Sequence, residues 1–303
     1  MMKKENNTQT TVNDVVAWLD DTFRPELQED YDNAGFLLGR GAAAYTGALV
    51  ALDLTSAVVD EAVQEGLNLI VTHHPFIFTG LRRVTDRTES GRLAMELIEK
   101  GISVYAAHTN LDNLPWGVNG ALAKKLEMKD CRILRQSSVD KINVDKLIGS
   151  CPDNLSDNVS TYQHINVSTG NTGAGMVGDL AEPVDAEAFL LKVKQLLGIP
   201  FIRTSLLSTF HSPLSTIRRV AICGGSGSFL IGDALAAHAD IFLTADLKYH
   251  DFQRTEGRMI LADVGHYESE QFAKDVIFDA ISKKFTTFAC RISKSQEGIV
   301  RYI

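Results

Sequence analysis

Residues 69–75 read LIVTHHP, an apolar run that ends in two adjacent histidines and a proline. The run Leu69–Val71 has the pattern of a short buried strand. Successive side chains of a strand point to opposite faces, so His73 and His74 could not bind one ion from inside a strand. Pro75 prevents regular continuation, and at a strand end the two rings can point toward two neighbouring ions. The alternative is a strand end with two incidental histidines.

The composition limits the class of protein. A chain of 303 residues holds one large domain or two smaller ones, and its 22% of charged residues is typical of globular proteins. The net charge of −8 argues against nucleic acid as a partner, because phosphate binding needs a basic face. We expect no membrane partner, since no apolar run approaches the roughly 18 residues of a spanning helix and no signal peptide is recognisable. Four dispersed cysteines without a C-x-x-C pair predict reduced thiols and a cytoplasmic location.

A β-α-β pattern surrounds the LIVTHHP stretch and predicts an α/β fold with a parallel sheet. A strand at Ala48–Leu52 is followed by a helix that Thr55 or Ser56 caps and that Gly66 ends. Residues 220–246 repeat this pattern at nearly the same spacing, which predicts two similar α/β lobes. We expect an N-terminal lobe at 1–128, an irregular insertion or connection at 129–172, and a C-terminal lobe at 173–303.

Further polar residues follow predicted strands in both lobes. Ligands of open α/β sheets gather beyond the carboxyl ends of the strands, so one site shared by both lobes is economical. His266 and Glu270 are four residues apart and share one face if a helix begins near His266. The predicted metal ligands are His73, His74, Asp112, His266 and Glu270.

Three imidazoles and two carboxylates fit zinc, manganese, iron, cobalt or nickel better than calcium or magnesium. Five side chains exceed the three that one open catalytic ion takes, so we expect two divalent ions that share a bridging carboxylate. Such a pair binds a water whose lowered pKa gives hydroxide near neutral pH. The alternatives are that Asp112 is a turn residue and that Glu270 lies on an exposed helix face.

Six motifs occur in a fixed order along the chain. They are DNAG at 32–35, THHP at 72–75, HTNLD at 108–112, GGSG at 224–227, TADLKYH at 244–250 and GHYESE at 265–270. This set resembles the NIF-three-like family, whose members carry the name GTP cyclohydrolase 1 type 2 homologue. The resemblance covers nearly the whole chain except residues 129–172.

The resemblance implies two α/β lobes around a shared dinuclear metal site and a toroidal homohexamer. His73 and His266 would then bind one ion, His74 and Asp112 the other, and Glu270 would bridge both. The chain departs from the family pattern at two positions. Ala245 stands where members often have Gly, and Met176 stands where compact members often carry Arg, which removes an anion contact.

The predicted function is that of a metal-dependent hydrolase on a nucleotide-like or phosphorylated small molecule, with His108 or His250 as acid and base. The family name implies hydrolysis at guanine C8 of GTP. The alternative function is a non-enzymatic metal-binding oligomeric scaffold or regulator. Other readings stay open at three places: His108 as an outer-shell or core residue, residues 224–228 as a phosphate cradle or a tight turn, and His250 as a loop residue.

Overall fold

The computed structural model describes residues 9–137, 172–205, 216–295 and 299–300. Their strands are, in chain order, β1 (Gly35–Leu38), β2 (Gly47–Ala51), β3 (Leu69–Thr72), β4 (Ser103–Ala106), β5 (Lys129–Gln136), β6 (Gly173–Asp185), β7 (Arg203–Thr204), β8 (Thr216–Ser226), β9 (Ile241–Ala245), β10 (Ile260–Asp263) and β11 (Ala289–Ile292). Their helices are α1 (Val12–Phe23), α2 (Ser56–Gln64), α3 (Glu89–Lys100), α4 (Thr109–Asp112), α5 (Val118–Lys125), α6 (Ala186–Leu197), α7 (Ile231–Ala236), α8 (His266–Glu270) and α9 (Ala273–Lys284). None of these helices combines the length and apolar character needed to cross a membrane.

The chain divides into two compact units. Unit 1 runs to His108 and adds the late segment that begins at Ile277, and unit 2 contains Thr109–Val276. The units differ from the predicted lobes because residues 109–128 belong to unit 2 and β11 belongs to unit 1. Strand β11 pairs with β2, more than 200 residues earlier, which a local pattern does not indicate. The predicted α/β class is confirmed, with one sheet in each unit.

Unit 1 is a five-stranded sheet in the order β1-β4-β3-β2-β11. Strands β4, β3, β2 and β11 are parallel, and β1 pairs antiparallel with β4. Thr11 as an N-cap and the helical spacing of the apolar residues that follow it predict a helix, which is α1, and it begins with a capping box between Thr11 and Asp14. An apolar core of α2, α3 and the sheet includes Leu49, Val58, Ile70 and Leu97. The carboxyl ends of β2, β3 and β4 lie side by side at one edge of this sheet.

Unit 2 is a six-stranded sheet in the order β5-β6-β8-β9-β10-β7. Strands β8, β9 and β10 are parallel and the outer pairings are antiparallel. Two apolar clusters cover its faces, and Met176 of β6 is fully buried in one of them. The residue at this departure from the family pattern is therefore a core residue.

Two predictions of local structure were wrong in unit 2. Residues 129–136 are a regular strand rather than an irregular connection, because Cys131 and Ile133 alternate as buried residues between exposed charged ones. Residues 138–171 of the predicted insertion lie outside the described residues. The sequence over Glu268–Lys284 predicts one long helix, but the structure has two helices there, α8 and α9. The Gln271 side chain donates to the Glu268 carbonyl and satisfies an acceptor at the end of α8.

Candidate metal centre

The histidines of unit 1 follow two adjacent parallel strands. His73 and His74 come directly after β3, and His108 follows β4. Backbone hydrogen bonds continue the sheet past the strand ends: the His74 amide donates to the Leu52 carbonyl at 2.9 Å, and the Ala107 amide donates to the Thr72 carbonyl at 2.9 Å. The segments that carry the three imidazoles are therefore held by the sheet.

His73 is fully buried, and one nitrogen of its ring faces a backbone carbonyl. Nδ1 lies 2.6 Å from the Ala107 carbonyl oxygen. Because a carbonyl can only accept, Nδ1 carries the proton in the neutral ring, and Nε2 is the nitrogen with a lone pair. This tautomer suits metal binding through Nε2.

His74 and His108 each pair with a carboxylate through the same ring nitrogen. Nδ1 of His74 lies 2.7 Å from Asp53 Oδ1, at the carboxyl end of β2. Nδ1 of His108 lies 2.7 Å from Asp32 Oδ1, and the Asp32 side chain is fully buried. An acid that accepts from Nδ1–H fixes the ring orientation and raises the basicity of Nε2.

The three imidazoles of unit 1 form a cluster. One ring nitrogen of each lies within 4.8 Å of the others, close enough to surround one metal ion. The ring centroids of His73 and His74 are 5.0 Å apart, and those of His74 and His108 are 5.4 Å apart. His108, predicted as an acid or base, thus lies in one cluster with the predicted ligands His73 and His74.

Unit 2 carries the predicted pair His266 and Glu270 at the two ends of α8, which begins at His266 as the spacing required. His266 Nε2 lies 3.1 Å from Glu270 Oε2, and its Nδ1 lies 2.7 Å from Asp246 Oδ2. Burial lowers the pKa of His266, but the hydrogen bonds and charges of Glu270 and Asp246 outweigh burial and raise the pKa to about 9. Without a metal ion, a proton on His266 balances the two acids.

A second acid lies beside Glu270 in unit 2. A carboxylate oxygen of Asp112 and one of Glu270 lie within 4.8 Å of each other, and Glu270 is 3% exposed. Burial and then the charges of Asp112 and Glu270 raise the pKa of the Cys223 thiol well above its usual value. Cys223 therefore stays a neutral thiol, and the acid pair favours a nearby cation.

The glycine-rich carboxyl end of β8 packs against the residues that carry these acids. A Cβ on Gly225 would lie 2.1 Å from Glu270 Oε1, so only glycine fits. The Gly225 amide donates to Ser269 Oγ at 3.0 Å, and the Gly224 amide donates to Asn119 Oδ1 at 3.0 Å. Asn119 Nδ2 in turn donates to the Asp112 carbonyl at 3.2 Å. These contacts favour the tight-turn reading over a phosphate cradle.

Two other residues that the sequence singled out, His250 and Ala245, are not part of the histidine clusters. His250 is exposed in the 3₁₀ turn Tyr249–Thr255, where its Nδ1 lies 3.3 Å from Gln253 Oε1. Within the described residues it does not belong to the histidine clusters. Ala245 ends β9 as a fully buried residue directly before Asp246.

Sequence reasoning missed the acids that orient the histidines. No role is predicted for Asp53, and Asp32 and Asp246 enter only as members of the motifs at 32–35 and 244–250. Each acid lies 20 or more residues from its histidine, so no local spacing indicates the pair. For Asp53 and Asp246 the available signal was their position just beyond a strand that neighbours the histidine's own strand.

The chain was compared with protein families and with known proteins. The model of the family described as Duf34/NIF3 (NGG1p interacting factor 3) matches residues 10–298. A Clostridium perfringens protein named "GTP cyclohydrolase 1 type 2 homolog" is 30% identical over 263 residues, which cover 86% of either chain. A Lactococcus lactis protein of the same name is 30% identical over 275 residues, which cover 90% of this chain and 91% of the relative.

Two solved structures resemble the fold over almost its whole length. A hypothetical Staphylococcus aureus protein is 27% identical with a TM-score of 0.78, and the match covers 97% of this chain and 100% of that one. A Bacillus cereus protein related to NIF3 has a TM-score of 0.79 at 21% identity, and the match covers 97% of this chain and 99% of that one. At that identity the second likeness speaks for the fold alone.

Proposed function

This chain belongs to the Duf34/NIF3 family, and on that premise we propose that it binds two divalent transition-metal ions and hydrolyses a nucleotide-like or phosphorylated small molecule. The proposed ligands are His73, His74, Asp112, His266 and Glu270. Relatives at 30% identity carry the name of a GTP cyclohydrolase homologue, which makes GTP the first substrate to test.

One observation carries the proposal. Each of four histidines presents Nδ1 to a carbonyl or carboxylate oxygen at 2.6–2.7 Å: His73, His74, His108 and His266. A histidine that binds metal through Nε2 almost always donates its other N–H in this way, whereas an incidental core histidine has no need of an acid. Four such rings at the carboxyl ends of parallel strands support a metal centre rather than structural histidines.

The donor chemistry fits the proposed ions. Neutral imidazoles and carboxylates suit zinc, manganese, iron, cobalt or nickel. The half-buried Asp112 and the buried Glu270 repel each other unless a cation or a proton lies near, and a pair of divalent ions would supply that charge. When bound, such ions act as Lewis acids and lower the pKa of a water molecule.

The chain's own residues would orient the substrate and move protons. We assign proton transfer to His108, because the Asp32 carboxylate at 2.7 Å from its Nδ1 fixes the orientation of the ring. His250 is the second proposed acid and base, since its exposed ring carries no carboxylate partner among the described residues and is free to reorient. His108→Gln and His250→Gln should each lower kcat, and only the group that titrates in the reaction should also change the pH profile.

The first test is the metal content of untagged protein by elemental analysis. We expect about two ions per chain, a loss of metal in His74→Ala and Glu270→Ala, and no loss in His250→Ala. Protein that stays free of metal after reconstitution with zinc and with manganese would overturn the proposal.

The second test is turnover on GTP and on a panel of nucleotides and phosphoesters. We expect turnover that requires metal and that Glu270→Ala abolishes. Full metal content with no turnover across the panel would favour the alternative function of a non-enzymatic metal-binding scaffold or regulator. Unchanged turnover in Glu270→Ala would remove the proposed site.

We further propose a homohexamer in the cytoplasm. The hexamer rests on the family, and a monomeric mass in solution scattering at micromolar protein would contradict it. The cytoplasmic location rests on Cys131, Cys223 and Cys290, which are free thiols as expected of a reducing compartment.

A further inference from the structure

Two exposed aromatic side chains lie next to the histidine cluster of unit 1. Tyr31 is 64% exposed and Phe78 is 45% exposed. Their ring centroids are 6.3 Å apart with a tilt of 39°, and the Phe78 ring lies 6.1 Å from that of His108 in an edge-to-face arrangement. Single exposed aromatics are ordinary, but two in contact beside a polar cluster call for an explanation.

The two rings stand on segments that are fastened to each other. Asn33 Nδ2 donates to the Ile77 carbonyl at 2.5 Å and joins the turn that carries Tyr31 to the loop that carries Phe78. Asp32 of the same turn holds His108 at 2.7 Å. The aromatic pair and the imidazole of His108 are therefore positioned by one set of contacts.

We propose that Tyr31 and Phe78 form a stacking surface for the nucleobase of the substrate, beside the reacting groups of unit 1. Aromatic rings bind planar bases by stacking, with little regard to the base's pattern of hydrogen-bonding groups. This proposal rests on the proposed function and narrows its substrate class to nucleotides. Sugar phosphates without a base would lack the contact.

The loop beyond Phe78 supports an anionic ligand. Arg82 and Arg83 are exposed and follow Phe78 within five residues, whereas the chain as a whole carries a net charge of −8. Two arginines close to Phe78 in the sequence suit a ligand that joins a planar base to phosphate, whereas Glu29, Asp30 and Asp32 flank Tyr31 with negative charge.

The test compares guanosine 5′-monophosphate with ribose 5-phosphate, its counterpart without the base, on metal-loaded protein by isothermal titration calorimetry. We expect the native chain to bind the nucleotide at least about tenfold more tightly. Phe78→Ala should remove most of that difference and leave ribose 5-phosphate binding unchanged, whereas Phe78→Trp should keep it. Tyr31→Ala should also reduce the difference, because its ring forms the other half of the proposed surface.

Phe229→Ala is the matched control, since Phe229 is 47% exposed in unit 2 and packs near Arg135. It should change neither affinity. An unchanged ratio of the two affinities in Phe78→Ala would overturn the stacking surface, as would a native chain that prefers none of the four common nucleoside monophosphates to ribose 5-phosphate. A smaller oligomer in sedimentation, with nucleotide binding intact, would instead assign the rings to a contact between copies.

Metal content measured on the same samples separates the two proposals. Protein without metal that still prefers the nucleotide, and loses that preference in Phe78→Ala, would refute the dinuclear centre and retain the stacking surface. Protein with two ions and no preference for the base would retain the dinuclear centre and refute the stacking surface.

Discussion

In both units the histidines are oriented through Nδ1, but the groups around them differ. In unit 1 three imidazoles cluster, and each is held through Nδ1 by a carbonyl or an acid at a strand end. In unit 2 one imidazole, His266, lies against Glu270, and Glu270 lies near Asp112. Unit 1 is therefore rich in neutral donors, and unit 2 supplies carboxylate charge.

This difference indicates how each unit achieves its geometry. Unit 1 relies on the sheet, because β3 and β4 lead directly into the histidines. Unit 2 relies on packing between segments, because the glycine-rich end of β8 must lie against Glu270. We therefore expect unit 2 to be the more sensitive to small changes of shape, and unit 1 to changes of its orienting acids.

The largest effect should come from Gly225→Ala. Its Cβ would lie 2.1 Å from Glu270 Oε1 at a backbone φ of +60°, so steric clash and backbone strain coincide. We expect the free energy of unfolding to fall by about 2–3 kcal/mol, measured in denaturant, and metal content to fall with it.

Gly232→Ala is the control for that variant. Gly232 lies exposed in α7, and a Cβ added there would have no heavy atom within 4 Å, so alanine should be neutral or stabilise by up to about 1 kcal/mol. A Gly225→Ala protein as stable and as rich in metal as Gly232→Ala would mean that unit 2 tolerates a Cβ against Glu270.

Next in size is the loss of an orienting acid. Asp53→Ala and Asp246→Ala should each weaken metal binding by about 10–100-fold, because His74 and His266 lose the acceptor for Nδ1–H. The Asp53 side chain is 30% exposed and that of Asp246 is 51% exposed, so we expect the larger loss in unit 1. Competition with a chelating dye measures both affinities.

Asp60→Ala provides the baseline for these acids. Its carboxylate is 59% exposed and pairs with Lys100 on the surface, so metal affinity should not change. Equal affinities in all three variants would show that the orienting acids do not tune the centre.

Whether a feature could be predicted from the sequence depends on how far apart along the chain its contacting residues lie. Helix α1 was predictable because its capping box lies within three residues, and His266 and Glu270 were predictable because one helical turn separates them. The family motifs then gave the two-sheet fold. These are local signals, or signals of a known pattern.

Contacts between distant segments were not predictable. Asp32 and His108 are 76 residues apart, and β11 joins β2 only through the finished sheet. Strand β5 was missed because charged residues fill its exposed positions, which leaves only Cys131 and Ile133 to mark the buried face. The orienting acids and the unit boundaries both depend on such contacts.

A smaller effect should follow Asn119→Ala, which removes a link between the acid-bearing segments of unit 2. Asn119 accepts from the Gly224 amide and donates to the Asp112 carbonyl. We expect a loss of about 1–2 kcal/mol in stability and a measurable loss of metal affinity. Asn68→Ala removes the same two kinds of bond in unit 1, to Thr46 and Ala44, and should destabilise without changing metal affinity. If Asn119→Ala and Asn68→Ala changed metal affinity equally, Asn119 would have no positioning role.

The smallest effect concerns the contacts between α2 and the residues that follow β11 in unit 1. In unit 1, Glu61 of α2 accepts from Ser293 Oγ at 2.6 Å and from the Lys294 and Ser295 amides at 3.0 Å, just after β11. Burial raises the pKa of Glu61, but these hydrogen bonds together hold it below its usual value. A depressed pKa means stability that is present above the unfolded pKa and lost as pH falls through the folded one. Glu61→Gln should therefore cost about 1 kcal/mol at pH 7 and nothing in acid below that folded pKa, in denaturant titrations at both pH values. An equal loss of stability at both pH values would show that the Glu61 contacts stabilise through packing and not through the charge of the carboxylate.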